Sequence, residues 1–86
     1  MSYRVEVTPE ARRDLRRLDP PAARRVLRFL GERVAVLDDP RSLGAALVGS
    51  PLWRYRVGDL RIVVSIEDSR LVVLVLEIGH RREIYR

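Results

Sequence analysis

The chain changes its hydrophobic period once, and that change limits the folds open to it. From Trp53 onward the apolar residues fall into three short runs, Trp53 to Val57, Leu60 to Ile66 and Leu71 to Ile78. They are separated at Gly58-Asp59 and around Asp68-Ser69. Runs of this length, rich in branched and aromatic residues and punctuated by turn residues, predict strands joined by two tight hairpins. The first half is spaced differently. Ala11, Leu15 and Leu18, and then Ala23, Val26, Leu27, Leu30, Val34 and Leu37, recur at intervals of three and four. Each set lines one side of an amphipathic helix. Thr8 and Pro9 open the first helix, because a threonine oxygen accepts from a free helix N–H and proline at the first position loses no bond. Asp19, Pro20 and Pro21 end it and cap the second. Ahead of both, Tyr3, Val5 and Val7 alternate with Arg4 and Glu6, the period of a half-buried strand.

The resulting order, β-α-α-β-β-β, predicts an α+β fold: an N-terminal strand and a two-helix hairpin packed on one face of a mostly antiparallel sheet. Residues 41–51, with Gly44 and Gly49, show no strand period and read as a connection. No linker or repeat divides the 86 residues, so one domain, 1–86, is expected. With no cysteine, disulfides, thiolate metal sites and cysteine nucleophiles are excluded. The longest apolar run, Leu71 to Leu76, is a strand's length, and no basic-then-apolar leader precedes Tyr3. A cytoplasmic protein without a membrane partner is the expectation.

Charge carries the functional signal. All 17 basic residues are arginine, against 12 acids, for a net charge of +5. Asn, Gln and Lys are absent, so part of the bias is compositional. The sharper reading is a polyanion partner, since a guanidinium fork engages phosphate with two parallel bonds and is always charged. If Gly58-Asp59 is a two-residue turn with glycine first, Val57 faces Leu60, Arg56 faces Arg61 and Arg54 faces Val63. Arg54, Arg56 and Arg61 then share one side of the sheet, while Trp53, Tyr55, Leu60, Ile62 and Val64 take the other. Directly opposed like charges destabilise a strand pair by a few tenths to about 1 kcal/mol, and an anion would relieve them. The competing account is a solvated strand face with ion pairs to Asp59 and Glu67. Read the same way, the Asp68-Ser69 hairpin puts Leu71, Val73 and Val75 on the helix side and Val72, Leu74 and Leu76 on the arginine side. The helix arginines, from Arg12 to Arg33, are what a solvated amphipathic face shows.

His80, the sole histidine, is a candidate proton carrier, although a lone histidine after a strand is more often structural. Tyr85 either stacks on a base or closes the core. No serine stands at triad spacing from His80, and no His/Asp/Glu set has metal-ligand spacing.

The stretch WRYRVGDLRIVVSIEDSRLVVLVLEIGHRREIYR, with the N-terminal YRVEVTPEARRDLRRL, resembles the RelE branch of the RelE/ParE toxin superfamily over essentially the whole chain. The resemblance implies a small toxin of a type II toxin-antitoxin system that occupies the A site of the 70S ribosome, against 16S rRNA, and cuts the messenger there without a metal or other cofactor. It implies attack of a ribose 2′-hydroxyl on the adjacent phosphate, with Arg54, Arg56, Arg61, Arg81 and Tyr85 at the matching functional positions. It also implies a RelB-like antitoxin and a toxin–antitoxin complex on operator DNA. Relatives carry lysines where this chain has Arg54 and Arg56, and arginine does not readily release a proton. The general base is therefore open among His80, Glu83 and a ribosomal group, with His80 ranked first. A gyrase-inhibiting ParE-like toxin and an inactive antitoxin-binding relative are the alternatives.

Overall fold

The computed structural model describes residues 2–80, and the expected α+β order is present with one strand added. Strand β1 is Arg4–Val7, followed by helices α1 (Pro9–Arg17) and α2 (Pro20–Phe29). Strands β2 (Ala45–Ala46), β3 (Trp53–Val57), β4 (Leu60–Glu67) and β5 (Val72–His80) complete the set. The sheet runs β1-β5-β4-β3-β2, antiparallel except where β1 lies parallel to β5.

Helix α1 starts as expected. Thr8 Oγ1 accepts from the Ala11 N–H at 3.1 Å and donates to the Val75 carbonyl at 2.8 Å, so one side chain caps the helix and ties it to β5. Asp19 occupies the cap position of α2 without a side-chain capping bond. The predicted long second helix is corrected: α2 ends at Phe29 and continues as one π turn over Leu30–Val34, closed by the Ala35 N–H donating to the Leu30 carbonyl at 2.9 Å. The buried residues are Ala22, Val26, Leu30 and Val34, four apart throughout, while Leu27 is 52% exposed. A regular helix turns ~100° per residue, so steps of four drift by ~40° each. The wider π turn takes up that drift and returns Val34 to the core.

Core residues from the helices meet Tyr55, Leu60, Ile62, Val64, Val73, Val75 and Ile78 on one face of the sheet. Tyr55 is fully buried, packs edge-on against Phe29 at 5.5 Å, and donates its hydroxyl to the Pro40 carbonyl at 2.7 Å. Burial pushes its pKa up to about 12. The predicted connection over 41–51 contains β2, which pairs with Trp53 and Arg54. Two residues are too few to display a period.

The Gly58-Asp59 hairpin has the expected register, with Arg56 opposite Arg61 and Arg54 opposite Val63. Gly58 has φ +58° and Asp59 does not share the sign, as a type II′ turn requires. The second turn is longer than predicted: a 3-10 turn over Asp68–Arg70, then Leu71 in the left-handed region at φ 53°. Glu67 faces Val72, so four residues replace two. An even change preserves parity, and Val73 and Val75 stay on the helix side.

Candidate functional site

The face away from the helices carries charge at both ends, arranged differently. At one end Arg4 pairs with Glu6 at 2.8 Å and Arg70 with Glu67 at 2.8 Å, and Arg70 also approaches Glu6 at 3.9 Å. At the other, the strand register stacks two rows: Ala45, Arg54, Val63 and Glu77, then Arg56, Arg61 and Gly79. Among the described residues, neither Arg54 nor Arg56 has an ion-pair partner. The ion pairs to Asp59 and Glu67 offered by the competing account do not form there: Glu67 is taken by Arg70.

The three arginines differ in environment. Arg56 is exposed and Arg54 half-buried, while Arg61, directly across from Arg56, is 2% exposed. Val63 beside it is 6% exposed yet lies outside the main core cluster, so this side of the sheet is partly sheltered. A sheltered guanidinium acts in a lower effective dielectric, where its field on a phosphate is stronger than in water. Arg61 reaches such surroundings because β4 is central, flanked by β3 and β5.

His80 does not join this group. It sits opposite Leu60, in the row that begins with Val57, and therefore on the helix side of the sheet. Arg81, Glu83 and Tyr85 lie outside the described residues. Sequence reasoning missed two carboxylates. Glu77 stands on the arginine face, exposed and without an ion pair among the described residues. Asp14 of α1 accepts from the Ile78 N–H at 3.0 Å through Oδ2, fixing the stretch of β5 that carries Glu77. Asp14 was legible: with Ala11, Leu15 and Leu18 it completes an i, i+3, i+4, i+7 stripe, where an acid needs a partner.

At the far end of the sheet Asp68 takes two bonds from Arg41, at 3.1 and 2.8 Å, and one from the Tyr3 hydroxyl at 2.5 Å. Arg41 also lies 5.7 Å over the Trp53 ring. The Arg41 and Tyr3 bonds hold the Asp68 carboxyl below its usual value, and the Asp68 bond in turn raises Tyr3. This cluster ties Tyr3 and the 3-10 turn at Pro40–Leu43 to the β4–β5 turn.

A family profile described as "ParE toxin of type II toxin-antitoxin system, parDE" matches residues 5–85. The chain belongs to the RelE/ParE superfamily of type II toxins. It is 36% identical to Toxin RelG of Mycobacterium tuberculosis, with 100% of this chain and 99% of that toxin covered. Toxin RelE of the same organism is 34% identical, with 98% and 87% covered. Among solved structures, the toxin–antitoxin complex RelBE2 of M. tuberculosis superimposes with a TM-score of 0.86 at 29% identity, covering 94% of this chain and 100% of that one. Two helices on a five-stranded, mostly antiparallel sheet are thus the fold of RelE-type toxins as well as of this chain.

Proposed function

We propose that this type II toxin is a ribosome-dependent messenger endoribonuclease acting in the A site. The observation that carries the reading is the pair Arg54 and Arg56, without carboxylate partners among the described residues, beside the sheltered Arg61 on one sheet face. Two guanidinium groups on one sheet face without carboxylate partners among the described residues, Arg54 and Arg56, are suited to a phosphodiester. The reaction is attack of a ribose 2′-oxygen on the adjacent phosphorus, leaving a cyclic phosphate upstream and a 5′-hydroxyl downstream. It uses no metal or cofactor. Negative charge grows on the phosphoryl oxygens in the transition state, and each fixed donor aimed at it supplies a few kcal/mol. Arg81 and Tyr85 complete the proposed set, one as a further cation and one stacking on or orienting a base. The names of the two relatives, Toxin RelG and Toxin RelE, support this branch of the superfamily.

The proposed partners follow. The M. tuberculosis neighbour is a toxin–antitoxin complex, and a RelB-like antitoxin is the corresponding neutraliser here, the two together binding operator DNA. A second reading, gyrase inhibition, is favoured by the ParE description of the family profile. Expression of Arg61→Glu and Arg81→Glu separates the two. Both variants lose growth arrest if RNA is cut by this face; arrest unchanged in both contradicts the nuclease reading and directs attention to DNA supercoiling.

A further inference from the structure

One inserted residue decides which titratable side chain faces the arginines. The β4–β5 ladder runs regularly from Glu67↔Val72 to Val64↔Val75, then shifts, so that Val63 faces Glu77 and Leu76 is left extra. Had the ladder continued without this bulge, Glu77 would face Ile62 on the helix side and Ile78 would face Arg61. His80 would then lie on the arginine face. The bulge reverses all of this: Ile78 enters the core at 4% exposure, His80 turns to the helix side, and Glu77 joins the row of Arg54. Asp14 holds the new register by accepting from the Ile78 N–H.

Resting on the RNA-cleavage reading above, we propose that Glu77 is the general base that the arginine substitutions left unassigned. The other carboxylates on the strands of this face, Glu6 and Glu67, are committed to Arg4 and Arg70, whereas Glu77 is exposed and without an ion pair among the described residues; Asp59, also without one, lies in the β3–β4 turn and not on a strand. It is the diagonal neighbour of Arg61, ~7–8 Å away backbone to backbone, and two strand spacings, ~10 Å, from Arg54. Long side chains converging over those spans enclose one ribose–phosphate unit. Gly79, opposite Arg61, adds no side chain to the gap. In the step, the Glu77 carboxylate takes the 2′-hydroxyl proton as the O2′–P bond forms and the P–O5′ bond breaks. The departing 5′-oxygen takes a proton from solvent, and Glu77 returns its own to solvent.

The test is single-turnover cleavage of a messenger bound in the ribosomal A site, by wild type, Glu77→Gln, Glu77→Ala and His80→Gln, across pH. Cosedimentation with ribosomes and thermal melting accompany each variant. Glu77→Gln is expected to cut at least ~10²-fold more slowly while still folding and binding, and His80→Gln to cut within a few-fold of wild type. Added formate should restore part of the rate to Glu77→Ala and none to an arginine variant, which a purely structural role would not produce. Glu77→Gln cutting like wild type, or unrescued Glu77→Ala with a normal fold, overturns the assignment alone. A wild type that makes no cuts overturns the nuclease reading and this one with it.

Discussion

Arg56 and Arg61 face one another across a single strand spacing but differ in burial, and their substitutions separate chemistry from folding. Arg56→Ala removes an exposed side chain. It is expected to slow cleavage by ~10²-fold, in line with the loss of one transition-state donor, and to leave the melting temperature unchanged. Arg61→Ala opens a hole beside Val63 and Gly79, so it should lower stability by roughly 1–3 kcal/mol in denaturant titration as well as abolish cutting. Equal melting of the two variants would contradict this division. Asp68 supplies a pH prediction. Its carboxyl is held below the usual value by Arg41 and Tyr3, so its contribution to stability is present above the ordinary carboxylate range and is lost as pH falls through the lowered value. Asp68→Asn should therefore melt below wild type near neutral pH, and the two curves should converge in acid.

At the scale of elements, the irregularities carry the consequences. Asp14→Ala deletes a charge-assisted bond to the Ile78 N–H and is expected to cost about 1.5–3 kcal/mol, with a further loss of cleavage because the bulged stretch of β5 is no longer anchored. Gly31 lies in the π turn with nothing within 4 Å of a built Cβ, so Gly31→Ala should stabilise by ~0.5–1 kcal/mol in the same titration. The order of elements along the chain, the start of α1 and the arginine register were legible because each depends on local chemistry: Thr8 and Pro9 at a helix start, Gly58 at a type II′ turn. The bulge was not. Residues 71–76 are apolar on both faces of β5, so alternation is invisible there and one extra residue leaves no trace in the pattern. Without the bulge, His80 would lie on the arginine face and Glu77 on the helix side; with it, the two exchange faces. The π turn had a faint signature in the four-residue steps from Ala22 to Val34, masked by Ala23, Leu27 and Leu37, which satisfy an ordinary helix equally well.

For the whole molecule, the face away from the helices is neutralised at one end and basic at the other, and the helix layer adds arginines of its own. Binding to a ribosome through phosphates should weaken steeply with salt, and Arg56→Ala should flatten that dependence by about one phosphate contact in a titration of affinity against salt. An unchanged slope would place Arg56 outside the RNA contact. The central claim concerns the target itself, and it is tested most directly by translating a defined messenger in a reconstituted system, with and without this toxin, and mapping new 5′ ends by primer extension. New ends confined to ribosome-bound messenger, within the A-site codon, and absent with Arg61→Glu are the predicted result. Arrested translation with no new ends, or identical cuts on free RNA, would contradict it.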